Sequence, residues 1–234
     1  MHDRLLAHLS ALQLADSAFP SGRYTLSQGL EPIAQSGILA MGKIGRLLAD
    51  CLRLSVGPAE GTAVALAHSA YERKDLEAVV ATERRLTAMK LTAEARHGSQ
   101  RTGKALLTTA RAFVDDPVID EYRALVRDGS LPGNHAIAIR LISASTGLSA
   151  VESVAGELYA FAANWTSAAV RLSLIDHQAA QRILHESLPE VAEAAEQAVE
   201  RARHRGASAI ASYTPAMDLM SMRHEEAELR LFAN

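Results

Sequence analysis

Gly98-Ser99-Gln100-Arg101-Thr102-Gly103-Lys104 fits the first seven positions of a phosphate-cradling loop, in which backbone amides curl around phosphate and the lysine reaches its outer oxygens. The eighth position needs a hydroxyl to hold magnesium, and it is Ala105. Such a loop must also follow a strand, whereas Ala93-Glu94-Ala95-Arg96 is helix-forming. The match is read as chance. A glycine inside a helix costs about 1 kcal/mol relative to alanine, so Gly98 and Gly103 predict the close approach of another backbone.

The nine histidines raise metal chemistry next. They are scattered, with no HxH, HExxH or Cys/His cluster. His177 and His185 stand two helical turns apart, too far to share an ion. Cys51 is the single cysteine, which excludes an intrachain disulfide and any CxxC motif, and its apolar-periodic setting predicts a buried small hydrophobe. No GxSxG elbow or isolated carboxylate pair offers acid–base work. The expectation is a protein that is not an enzyme, with no metal site within one chain and no tightly bound cofactor.

Composition narrows the class further. Hydrophobic residues make up 48% and charged residues 22% of 234, ordinary for a folded domain. Aromatics are only 4%, so alanine and leucine must supply the packing and helices can approach closely. A net charge of −3 without a long basic run argues against nucleic acid, and no apolar stretch is long enough to span a membrane. The chain reads as cytoplasmic.

The elements that must position any site read as helices from end to end, spaced in threes and fours. Leu5, Leu9 and Leu12 start the first, and Phe19-Pro20-Ser21-Gly22 stops it. A second runs from Ile44 to Val56, closed by Gly57-Pro58, and a third from Ala63 to Tyr71. Asp75 caps the next, a helix through Leu91–Val114 follows, and Asp115-Asp116-Pro117 breaks it before a short one over Val118–Val126. Gly129-Ser130-Leu131-Pro132-Gly133 is the clearest internal loop. Ser149 and Glu152 form a capping box for a helix apolar on most sides, expected at the centre. Pro189 opens another, Gly206 stands ready for a left-handed cap, and Thr214-Pro215 begins the last. The predicted fold is all-α, a compact multi-helix bundle: one domain over residues 1–212 and a partner-docking tail over 213–234.

Two segments exceed what a plain helix connection needs. Leu14–Glu31 holds two breakers, several hydroxyls and an exposed-looking Tyr24. The tail Met217–Asn234 alternates apolar with charged residues, which suits either packing on its own domain or docking on another protein.

Together these segments resemble the urease accessory protein UreF family. The N-terminal pattern reads Leu12-Gln13-Leu14, Pro20-Ser21-Gly22, Tyr24-Thr25 and Ser27-Gln28-Gly29-Leu30-Glu31. Arg96, Ser99 and Gly103 match the family's mid-chain helix, and Val170-Arg171-Leu172 with Gln181-Arg182-Ile183-Leu184 match its basic, Gln-containing segment. Met222-Arg223-His224-Glu225 and Arg230-Leu231-Phe232 match its C-terminal signature. The resemblance spans nearly the whole chain. Arg23 departs from it, standing where members commonly carry a small residue, as does Leu26, in place of His or Tyr. Leu174-Ile175-Asp176-His177 replaces Pro-Leu-Gly-Gln, and Ala180 replaces a Gly. Loss of that turn predicts a continuous helix or a new one capped by Asp176.

The resemblance implies an all-α homodimer that bridges UreD (UreH in some organisms) and the GTPase UreG, delivering nickel to apo-urease and regulating the GTPase. Nickel is then handled by the complex. It implies a partner-binding set: Pro20, Gly22, Tyr24, Ser27, Gln28 and Glu31 facing the GTPase, Arg171 in GTPase control with Gln181 in the same segment, and Arg223, His224 and Arg230 docking UreD or fixing the tail. Two other readings stay open, a helical adaptor for a different metalloenzyme and a nickel-binding chaperone with histidines at its dimer interface.

Overall fold

The computed structural model describes residues 2–37, 43–226 and 231–232, and among these there is helix and no strand. The elements are α1 (His2–Ala15), α2 (Leu30–Gln35), α3 (Ile44–Cys51), α4 (Thr62–Glu72), α5 (Leu76–Met89), α6 (Ala93–Ala110), α7 (Pro117–Arg127), α8 (His135–Ser145), α9 (Ala150–Arg171), α10 (His177–Glu186), α11 (Leu188–Arg205) and α12 (Pro215–His224). Short 3-10 turns cover Arg23–Thr25 and Gly206–Ala209.

Local chemistry sets most boundaries. Asp75 Oδ1 accepts from the Ala78 amide at 2.9 Å, and Asp116 Oδ1 takes two amides at the start of α7. The Ser149–Glu152 capping box is formed in both directions. Asp176 caps α10 through the Ala179 amide at 2.7 Å, so the departure at 174–177 yields a new capped helix. As expected, α9 is central: Val154, Leu158, Ala162, Trp165 and Ala169 are fully buried, with α3, α4, α8, α10 and α11 packed around them.

Gly57-Pro58 does not end a helix. Between α3 and α4 the chain continues as a π-helical segment, Leu52–Gly61. Pro58 lacks an amide proton, and the Leu54 carbonyl four residues before it accepts from Tyr213 N–H at 2.8 Å. The Pro58 carbonyl takes Ala211 N–H at 3.3 Å. A neighbouring segment thus supplies donors to a stretch that sequence alone reads as a break. Small residues let α11 close on it: a Cβ at Gly61 would lie 3.2 Å from both Ala198 Cβ and Val154 Cγ1.

Two further expectations change. Gly206 has positive φ (56°), but its ψ of −150° lies outside the left-handed helical cap, and a 3-10 turn follows. The apolar run His135–Ser145, undelimited in the sequence reading, forms α8. The helix α12, within the tail, packs on α2.

Candidate functional site

The false phosphate loop lies inside α6, and its residues serve helix packing. A Cβ at Gly103 would meet the Gly133 carbonyl oxygen at 2.1 Å and Asn134 C at 2.8 Å, so backbone does press on that position. Gly98 instead receives the Leu26 side chain, at 3.1 Å. Ser99 Oγ donates to Asn134 Oδ1 (3.0 Å) and accepts from the His135 amide (3.2 Å).

That packing positions the N-terminal motif. Gly22, at φ 74°, turns the chain into the 3-10 turn, from which Arg23 points inward and Tyr24 stays 48% exposed. Gln28 and Gly29 both have positive φ, 55° and 81°, and throw the chain into α2. Glu31 and Ser27 are thereby fully buried, so they hold structure together and do not form part of an open face. Pro20 and Gly22 are exposed, Gln28 is half-buried, and Gln181 is exposed on α10.

Glu31 is where the two ends of the chain meet. Its Oε1 accepts Leu231 N–H at 2.7 Å and its Oε2 accepts Phe232 N–H at 3.2 Å. His224 is buried between this carboxylate (3.4 Å) and that of Glu94 (2.8 Å). Glu225 Oε1 accepts the Ala93 amide at 2.7 Å, at the start of α6, where an acid also opposes the helix dipole. Arg223 is exposed, and Arg230 lies outside the described residues.

The latch places Phe232 over Arg171. The guanidinium carbon sits 4.0 Å from the Tyr24 ring centroid and 4.3 Å from that of Phe232. Three segments singled out separately in the sequence therefore meet in one stack. Arg171 Nε and Nη2 are buried and have no hydrogen-bond partner. Burial lowers the Arg171 pKa, with Tyr24 opposing.

Beneath the stack lies a cluster the sequence reading missed. Arg23 binds Glu157 in bidentate fashion, Nη1 to Oε2 at 2.7 Å and Nη2 to Oε1 at 2.8 Å. Its Nη1 is also 3.0 Å from His135 Nε2. A guanidinium only donates, so Nε2 accepts and the ring proton sits on Nδ1. Burial pushes the His135 imidazole down to about 4, and the Arg23 charge adds to this. For Glu157 burial acts upward, but the Arg23 charge, helped by further contacts, carries the carboxyl below its ordinary value. These three residues line two cavities at once, one of about 190 Å³ bounded by Lys90, Glu60 and α12, the other of about 110 Å³ beneath α1. They form the wall between them. The sequence signals were two and unconnected: Arg23 where the family commonly carries a small residue, and a lone glutamate inside the apolar run Val154–Trp165.

Cys51 is buried, its thiol pushed up to about 12 by burial and by Asp50, and it lies 3.2 Å from Met217 Sδ. Among the described residues no group of three or more His, Cys, Asp or Glu side chains is arranged to hold a metal ion. Nor is any helix among them long and apolar enough to cross a membrane.

Comparison with known proteins agrees with the motifs. The UreF family model matches residues 41–188. The chain belongs to the UreF family. The urease accessory protein UreF of Trichodesmium erythraeum (strain IMS101) is 29% identical over 227 residues, covering 97% of this chain and 96% of the relative. That of Arthrobacter sp. (strain FB24) is 29% identical over 225 residues, 96% of each. Urease accessory protein UreF 2 of Brucella canis (strain ATCC 23365 / NCTC 10854 / RM-666) is 26% identical over 229 residues, 98% of this chain and 92% of the relative. The model's match ends at residue 188, short of the tail, whereas the full-length relatives align across nearly the whole chain. For a UreF-family chain, Tyr24, Arg171 and the C-terminal signature thus converge on one surface.

Proposed function

We propose that this chain is a non-enzymatic adaptor of urease maturation, bridging UreD (UreH) and the GTPase UreG so that nickel passes into apo-urease in step with GTP hydrolysis. The observation that carries the reading is the Tyr24–Arg171–Phe232 stack, in which the N-terminal motif, the basic segment and the C-terminal signature meet. Partner contacts assigned to separate segments then become neighbours, and a protein docking on one is felt by the other through Glu31. Regulation of the GTPase needs no catalytic group here. It needs only tighter binding to one GTPase conformation than to another.

Self-association fits the outer face of α1, where Leu5, Leu6, Leu9 and Leu12 are each about half exposed. The homodimer is the working unit in this proposal, with nickel held by the assembled complex. No cofactor is assigned to the chain itself, and it works in the cytoplasm.

The test is co-purification with the host's UreD and UreG, followed by size exclusion with light scattering. A three-protein complex built on a dimer of this chain is expected, with Tyr24→Ala and Arg230→Ala weakening assembly while circular dichroism stays unchanged. A chain that ignores both partners in the presence of GTP and nickel defeats the reading. Equilibrium dialysis with nickel separates out a metal-binding chaperone, which would titrate at a fixed ratio per dimer.

A further inference from the structure

Between α3 and α4 the chain is wound in a way that it does not sustain alone. The Thr62 amide donates to the Gly57 carbonyl five residues back, the π-helical bond, and the winding runs over Leu52–Gly61. Such winding is rare and mostly confined to single turns, so ten residues of it call for support. Two residues of the segment prepare for it. A Cβ at Gly57 would stand 2.4 Å from the Leu52 carbonyl oxygen, so only glycine fits this turn. Pro58 has no amide proton to give, and in α-winding its ring would press on the Leu54 carbonyl four residues before it.

Support comes from the strap 206–214, which joins α11 to α12. Tyr213 N–H donates to the Leu54 carbonyl at 2.8 Å, and Ala211 N–H to the Pro58 carbonyl at 3.3 Å. Between them the Ser212 and Ser55 hydroxyls share a hydrogen bond of 2.9 Å. Three consecutive strap residues are therefore bonded to the π-helical segment. The strap is itself anchored by Ile210, which is fully buried and whose carbonyl accepts from Arg85 Nη2 at 3.4 Å.

The winding reaches into the molecule. Ser55, Val56 and Glu60 line the larger cavity, and Glu60 pairs there with Lys90, just past α5. Successive residues of an α-helix lie about 100° apart around its axis, so rewinding by a single residue carries a side chain to another face.

We propose that the strap is a register lock: Ala211 and Tyr213 hold residues 52–61 in π-winding, and this winding keeps Glu60 on Lys90 at the cavity wall. The chain leading into α12 is thereby coupled to the cavity. Loosening the strap takes two donors from the segment and frees Glu60 from Lys90. The lock does not depend on the docking function proposed above.

Two variants of the full-length protein attack the lock from opposite sides. Ala211→Pro removes one strap donor, and the extended backbone of Ile210 (φ −66°, ψ 113°) accommodates a following proline. Gly57→Ala/Pro58→Ala gives the segment its own amide for the Leu54 carbonyl and a Cβ that π-winding does not admit, so α-winding is favoured and the fold keeps good helix formers. Amide exchange followed by NMR reads the result. The Thr62 amide in Ala211→Pro, and the Tyr213 amide in the double variant, are each expected to exchange at least about tenfold faster than in the wild type. The Glu60–Lys90 pair is read by a double-mutant cycle of Glu60→Gln and Lys90→Gln from urea midpoints, and its coupling is expected in the wild type and lost in Gly57→Ala/Pro58→Ala. Wild-type exchange at the named amide in either variant overturns the inference, because the winding then stands without the strap. Coupling that survives the double variant, or that is missing from the wild type, overturns it as well, since the cavity wall is then independent of the winding. Exchange accelerated equally throughout α9 would count against a local lock.

Discussion

Arg23 and Arg171 are both neighbours of Tyr24, one along the chain and the other across its ring, and are used in opposite ways. Arg23 runs inward, with its side chain 14% exposed, and satisfies itself on Glu157 and His135. Arg171 stays near the surface, gripped by two rings and without a carboxylate among the described residues. The difference shows how one short turn can divide labour. Gly22 sets the turn, one side chain from it closes the wall between two cavities, and the next stacks on the Arg171 guanidinium. The inner pair is a matter of stability because its removal strands a charge. The outer stack strands no carboxylate when it is broken, because Arg171 is half-buried and its Nε and Nη2 already lack a partner.

The largest effect should come from breaking the inner arginine. Arg23→Ala leaves Glu157, whose side chain is 3% exposed, without its partner, and one-sided removal of a buried ion pair costs about 3–5 kcal/mol. Urea denaturation followed by circular dichroism measures it. The double variant Arg23→Met/Glu157→Leu should lose less than Arg23→Ala alone, since no charge is then stranded. If the single variant is as stable as the wild type, water reaches Glu157 and the wall is not closed.

Acid provides a second, smaller probe of the same pair. His135 is lowered from 6.5 to about 4, so between those values the unfolded chain binds a proton that the folded chain refuses. Stability is therefore full above pH 6.5 and falls as pH drops towards 4, by at most about 3 kcal/mol. Glu157 acts in the same sense: its folded value is depressed, so its contribution is present above the ordinary carboxylate range and is lost as pH falls through the lowered value. Urea midpoints measured across this window should decline in the wild type. In Arg23→Ala the decline should be shallower, because the charge that adds to burial in lowering His135, and that does most to lower Glu157, is gone. An equal slope in both proteins would place the acid response elsewhere.

What could be read in advance divides along the same line. Caps at Asp75, Ser149 and Asp176 were legible because capping is local, decided within three residues. The motifs singled out Tyr24, Arg171 and the C-terminal signature one by one, and the structure shows that Tyr24, Arg171 and Phe232 meet. The inner wall was not legible, because Arg23 and Glu157 are 134 residues apart and nothing nearby in sequence announces the pair. The helix α8 escaped for a related reason. Asn134, at its start, makes no side-chain cap and spends its amide on Glu83 and Thr87, so the usual entry signal has been diverted to long-range contacts. At Gly57-Pro58 the local rule was sound, but donors from residues 211 and 213 supported the chain through the break.

Between the two arginines in expected effect stands Glu31. Glu31→Ala removes the acceptor for the Leu231 and Phe232 amides and one neighbour of His224, a loss of about 1–2 kcal/mol by the usual value of such bonds. Its clearer mark should be faster limited proteolysis near the C-terminus, with cleavage elsewhere unchanged. Uniform acceleration would mean that the latch supports the whole fold and is no separate device.

The smallest change in stability is expected where the functional loss is expected to be greatest. Arg171→Ala gives up two cation–π contacts, each worth about 0.5–1 kcal/mol near the surface. It also removes two buried donors that had no partner, which offsets part of that loss. The net should stay below about 1 kcal/mol in the urea experiment that reports several for Arg23→Ala. An equal cost at the two positions would make the stack a pillar of the fold, and any weakened partner binding in Arg171→Ala would then be secondary to unfolding. A small cost leaves a side chain held in place by the two ends of the chain at almost no benefit to the free protein.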